Sequence, residues 1–245
     1  MSLPLYVTCQ LITVLLTLGV LSAVLYGLRY AFLRLRLPKD KREALIRLIR
    51  IGLFMWLSIL AALAWSGMFK DAGMLILGIG LVFFPPLILG VVLLRSRFFR
   101  LVLKALPPEW LIWIQTFRLF LAGMFWLGWS GGFVPLQLTF WGLNQDIIVG
   151  LSAVAAGGLF FRRRQLKFQI IVWNGFGVLL FIHAILLAFL SLPSPLQVFT
   201  NEPSAAFLTD VPFIWVPGFL FPFGLVMHFF SLKQLAGNGS KGGER

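Results

Sequence analysis

The sequence predicts an all-α fold: a polytopic transmembrane helical bundle of about seven spans, with the N-terminus outside and the C-terminus cytoplasmic. Three observations carry that expectation: the amount of apolar side chain, its grouping into long runs, and the placement of the bases between those runs. Hydrophobic residues make up 60% of the 245 and charged residues 12%, against about 45–50% and about 25% in soluble domains. A water-soluble fold of this length has too little interior to hide that much apolar surface. Lipid accepts it.

A hydrocarbon core about 30 Å thick needs roughly 20 apolar residues per helix. Runs that meet or approach this length lie near 5–30, 49–69, 73–94, 110–130, 144–161, 168–190 and 211–232. The fifth is the shortest. No base precedes the first run, which continues past Leu25, so it reads as a retained helix and not as a cleaved signal. Residues 1–236 form one transmembrane domain in this reading, and the Gly-, Lys- and Ser-rich tail 237–245 is expected to be disordered.

The bases set the orientation through the positive-inside rule. Arg29, Arg34, Arg36, Lys39, Lys41, Arg42, Arg47 and Arg50 follow the first run, and Arg95, Arg97, Arg100 and Lys104 follow the third. Arg162, Arg163, Arg164 and Lys167 follow the fifth, and Lys233, Lys241 and Arg245 follow the seventh. With seven crossings, 19 of the 21 bases fall on one side; Lys70 lies opposite and Arg118 lies within a run. This distribution also explains the net charge of +13 without nucleic acid as a partner. It points instead to membrane lipids, with anionic headgroups at the basic cytoplasmic loops, and to a bacterial inner membrane.

Two basic segments, 35–50 and 97–106, alternate bases with leucines and isoleucines or phenylalanines. Both are expected to lie at the membrane surface, the second as a separate amphipathic helix ending at Pro107-Pro108. On the outer side, the apolar segment 131–143 either lies in the interface or dips back into the membrane.

Ionisable residues inside a membrane are functional candidates because they are expensive to place there. Arg118 is the only charge well inside a span, with Gln115 one turn earlier on the same face. Its long stem either snorkels toward the cytoplasmic headgroups or finds a backbone-carbonyl partner; the functional alternative is contact with a substrate or an anion. Trp173 and Asn174 lie at comparable depth in the sixth span and would join Arg118 or Gln115 if those helices touch. His183 is a candidate ligand or proton-handling group, set against a packing role. Asp146 and Asp210 sit at helix starts, where carboxylates cap free N–H groups. The functional alternative for them is an outer polar pocket shared with His183. The estimated depths of His183 and His228 differ by roughly 10–15 Å at 1.5 Å per residue, which argues against a haem held by both.

Pro85-Pro86 in the third span and Pro217 and Pro222 in the seventh mark helix breaks that commonly line cavities. Small residues four apart (Ser152 with Ala156, Ala153 with Gly157) allow the fifth helix to pack closely on a neighbour. The lone Cys9 supports neither a disulfide nor a metal cluster. No HExxH, phosphate-binding glycine loop or GxSxG occurs. The leading expectation is a non-catalytic subunit that packs against other membrane subunits and binds lipid or another apolar ligand. The alternatives are a small-solute permease with its site near Arg118 and Asn174, and a membrane enzyme that acts on a lipid.

Overall fold

A computed structural model describes residues 2–159 and 167–238. The bases Arg162, Arg163 and Arg164, the end of the fifth predicted span and the tail from 239 onward lie outside the described residues. Within them the chain is helical and contains no strand: α1 (Leu3–Arg34), α2 (Lys39–Trp65), α3 (Ala72–Arg95), α4 (Arg97–Ala105), α5 (Pro108–Trp113), α6 (Phe117–Ser130), α7 (Ile147–Leu159), α8 (Lys167–Leu190) and α9 (Phe221–Asn238). Among the described residues, six helical stretches are long and apolar enough to cross a membrane: α1, α2, α3, α5 joined to α6, α8, and 216–236. The protein is therefore an integral membrane protein of the multi-pass kind. The last stretch and α5–α6 are the inner helices, with 67% and 56% of their apolar windows buried, against 17% to 39% for the other four.

Several boundaries differ from those read in the sequence, each for a local reason. α2 begins at Lys39, so the basic segment 39–50 is continuous with the span and not a separate surface helix. Between Asp40 and Ile51 no Gly or Pro interrupts a run of Lys, Arg, Glu, Ala, Leu and Ile, and nothing there breaks the hydrogen-bond ladder. α3 likewise stays helical through Pro85-Pro86, whose fixed φ of about −65° is itself helical. The separate helix expected after Arg95 is present as α4. Ser96 takes an extended conformation, and its hydroxyl accepts from the Phe99 N–H at 3.2 Å, capping the new helix. Phe99, Val102 and Leu103 face inward while Arg97, Arg100 and Lys104 stay exposed. α9 continues through Asn238, two residues into the predicted tail.

The final span starts near Val216, about five residues later than expected. A π-helical segment, Val216–Leu220, precedes α9. Pro222 has no N–H for the carbonyl of Gly218, and the Trp56 indole donates to that carbonyl at 2.9 Å. Trp215 donates in return to the carbonyl of Leu57 at 3.1 Å. These two indoles fasten α2 to the irregular segment, and Gly218 lets Leu60 pack directly on the backbone there.

Within the described residues the fifth predicted span starts later than expected, at Ile147. α7 has 13 residues, about 20 Å at 1.5 Å per residue, and runs antiparallel to α6 and α5. Its Gly150 meets Leu119 and its Gly157 meets Trp113. The segment between α6 and α7 therefore returns from the end of α6 toward its middle. Leu138, Thr139, Asn144 and Asp146 in that segment are buried. Irregular backbone at such depth survives only where the protein supplies its hydrogen bonds, and here it does. The Asn144 side chain donates to the Leu138 carbonyl at 3.0 Å and accepts from the Asp146 N–H at 3.1 Å. Gln137 donates to Ser191 at 2.9 Å and accepts from Asn201 at 3.0 Å, tying the same segment to the end of α8. Residues 131–143 are packed largely against the rest of the bundle, with Phe133, Val134, Gln137, Leu138 and Thr139 buried.

Candidate functional site: a buried ionic cluster and an apolar cavity

Arg118 lies ten residues from the start and twelve from the end of the 23-residue α5–α6 stretch, close to its middle. It is 1% exposed, so it does not snorkel. Asp146 is brought to the same depth by the inward-dipping segment, and its two carboxylate oxygens take a two-point contact from Arg118. The Nε–H donates to Oδ2 at 2.8 Å, and the Nη2 donates to Oδ1. A paired, planar contact of this kind offsets much of the desolvation that each charge would suffer alone. The expected helix-capping role of Asp146 is thus not the one observed, because both oxygens are turned toward the guanidinium.

Three further groups complete the shell around Arg118. The Gly177 carbonyl on α8 accepts from Nη2 at 3.3 Å, and Phe181 presents its ring face 4.1 Å from the guanidinium carbon. His228 on α9 places Nε2 2.8 Å from Nη1. Arginine can only donate, so Nε2 is the acceptor and the imidazole proton sits on Nδ1. That proton is donated to Asn174 Oδ1 at 3.0 Å, and the Asn174 amide donates onward to Ser231 at 3.1 Å and to the Ile170 carbonyl at 2.8 Å. The chain Asp146–Arg118–His228–Asn174–Ser231 joins α6, α7, α8 and α9 with donor and acceptor matched at each step. Gly177 permits it sterically, since a Cβ there would collide with the His228 ring.

The other expected site residues are distributed around this core. Asn174 reaches Arg118 through His228. Gln115 is fully buried but donates to the Gly224 carbonyl at 2.9 Å, bracing α9 one turn from His228. Trp173 packs its ring 5.5 Å from that of His228, and its indole donates to Ser152 on α7 at 3.0 Å. His183 is exposed on the outward face of α8, between inward Phe181 and Ala184. Asp210 accepts from Tyr6 at 3.4 Å near the other end of the bundle. Desolvation raises its carboxyl pKa above the ordinary value, against the pull of the Tyr6 hydrogen bond and the Lys70 charge. The outer pocket of Asp146, His183 and Asp210 is therefore not assembled, because Asp146 is held at mid-depth by Arg118. The space beside Arg118 and Asp146 is about 10 Å³, the lower limit for one water. That space is too small for a solute.

The large cavity is elsewhere. About 630 Å³ of space lies between α1, α2, α3, α4, α5 and α9, within the range of pockets that enclose a whole small ligand. Its wall is apolar, with Leu53, Pro86, Leu89, Phe99, Phe223 and Met227 among the contributors, and holds no charged side chain. Its origin lies in the packing of the elements around it. α2 and α3 make almost no direct contact away from their connecting turn, Met68–Lys70, while the π-helical segment packs against α3 and is pinned to α2. The two helices are held apart, and both line the space between them.

No family model, curated protein or solved structure matches this chain. A functional reading rests on the two sites themselves.

Proposed function

We propose that this protein is a non-catalytic membrane component that binds a lipid or another long apolar ligand in the cavity between α2, α3 and α9. The observation that carries the reading is the size and chemistry of that cavity, about 630 Å³ with a wall free of charge. The buried ionic cluster acts in this reading as a brace. It holds α7 against α6, α8 and α9, and so supports the α5–α9 wall of the cavity from behind. A permease needs a polar path to Arg118, and an acid–base lipid enzyme needs His183 near a carboxylate; neither arrangement is assembled among the described residues.

Gly52 supplies the test. It lines the cavity on α2, and a Cβ built there meets nothing within 4 Å. Gly52→Trp should fill the opening while leaving the bundle intact. Lipid retained through purification, counted by mass spectrometry, should fall by at least the equivalent of the bound molecule, with the unfolding temperature unchanged or raised. Undiminished retention in Gly52→Trp would remove the cavity from the account.

The orientation is part of the same proposal. The inward-dipping segment and α7 together carry the chain from one end of the bundle to the other, which supports a seventh crossing. With seven crossings the basic ends of α1, α3 and α9 share the cytoplasmic side, as in a bacterial inner membrane. A reporter fused after Arg245 should be active only if it folds in the cytoplasm; activity restricted to the outside would reverse the orientation.

A further inference from the structure

We infer that the ligand of this cavity is an anionic phospholipid from the leaflet at the basic end of the bundle, entering sideways between α2 and α3 with its headgroup held by Arg50, Arg95 and Arg97. This inference rests on the apolar-ligand reading above and adds the chemistry of the ligand's polar end.

The dimensions suggest the leaflet. Along α3 the wall runs from Pro85 to Ser96, a rise of about 17 Å at 1.5 Å per residue. That is close to half of a hydrocarbon core about 30 Å thick. The cavity therefore spans the depth of one leaflet and ends at the level where headgroups begin.

Entry between α2 and α3 is suggested by their sparse direct contact away from the connecting turn, since both helices line the cavity. A molecule that enters there must already be in the membrane.

The charge distribution selects the headgroup. Inside the cavity no side chain is ionised, whereas its basic end is bordered by arginines. Arg50 follows the lining residue Ile49, and Arg95 and Arg97 flank the lining residue Ser96. All three are exposed, and none is in an ion pair among the described residues. The connecting and terminal segments at this end, 29–50 and 95–109, hold twelve bases against Asp40, Glu43 and Glu109. An apolar chamber whose wall ends where the chain turns basic, with unpaired arginines next in sequence to its lining residues Ile49 and Ser96, matches an amphiphile with an apolar chain and a phosphate. Arginine suits that group because its planar fork can bind two phosphate oxygens at once. A hydrocarbon or a neutral isoprenoid would draw nothing from those arginines beyond their part in the orientation signal.

The experiment uses the full chain purified in mild detergent and exposed to phosphatidylglycerol or phosphatidylcholine of identical acyl chains, with bound lipid read by native mass spectrometry. Phosphatidylglycerol should bind at least about tenfold more tightly, since each base near the headgroup adds a favourable increment. The triple variant Arg50→Gln, Arg95→Gln, Arg97→Gln should lose that preference and keep wild-type affinity for phosphatidylcholine. Nine other bases in the same segments preserve the orientation signal. Gly52→Trp should lose both lipids. Equal binding of the two lipids by the unaltered protein would overturn the headgroup assignment and leave the cavity reading standing, whereas binding of neither would overturn the cavity reading itself. A phosphatidylglycerol preference that survives the triple variant would show that these arginines do not hold the headgroup. One that survives Gly52→Trp would place the lipid on the outer surface of the bundle.

Discussion

Asp146→Asn should destabilise the folded bundle by about 3–5 kcal/mol, the cost of leaving one member of a buried ion pair without its partner. Arg118 would remain at mid-depth, 1% exposed, with only neutral groups around it: the amide that replaces the carboxylate, the His228 ring, the Gly177 carbonyl and the Phe181 face. Arg118→Leu should be comparably damaging for the opposite reason, since Asp146 and the acceptor nitrogen of His228 would both lose their donor. The double variant Arg118→Met, Asp146→Leu removes both charges and keeps similar volume, so it should recover most of the lost stability. Unfolding in detergent, followed by tryptophan fluorescence on the unaltered protein, Arg118→Met, Asp146→Leu and the double variant, gives the four corners of the cycle. A double variant as unstable as the sum of the two single variants would mean that the pair is not coupled.

Much of this arrangement can be read from the chain, and the errors share one origin. Length and hydropathy place the long helices because lipid imposes a length on any helix that crosses it, and Ser96 and Pro107-Pro108 mark the ends of α4 through capping chemistry. Arg118 is recognisable because an isolated intramembrane cation demands partners. The identity of those partners is hidden, since both depend on irregular backbone. Asp146 precedes a hydrophobic run and reads as a helix start at the membrane surface; it is at mid-depth only because residues 131–146 fold back inward. A span drawn over 211–232 puts His228 near its inner end. The turn at 211–214 and the π-helical segment delay the helix, and His228 then stands eight residues before Ala236, the end of the 21-residue apolar stretch. Hydropathy averages over a window and cannot register a five-residue delay. Asn174 reads at the correct depth, yet its link to Arg118 passes through that same misplaced histidine. The cavity is marked in the sequence only by Pro85-Pro86, which line it; its size is hidden, because it arises from two helices held apart and not from any residue type.

Paired substitutions at two glycines should separate close packing from mere flexibility in α7. Gly150 on α7 faces the backbone of Leu119, and a Cβ there would stand 2.5 Å from the Leu119 nitrogen and 3.0 Å from its Cα. Backbone atoms cannot rotate away as a side chain can, so Gly150→Ala must push α7 off α6. Overpacking of this kind costs about 1–3 kcal/mol. The displacement occurs one turn from Asp146 and beside Arg118, so it also lengthens the ion pair on which the cluster depends. Gly123, on α6 itself, has nothing within 4 Å of the corresponding position. Gly123→Ala removes only the conformational freedom of glycine and should stabilise the helix by about 0.5–1 kcal/mol. The two variants add the same methyl group to the same pair of helices and should shift the unfolding midpoint in opposite directions. If both raise it, α7 does not lie against α6 as described, and the mid-depth position of Asp146 goes with it.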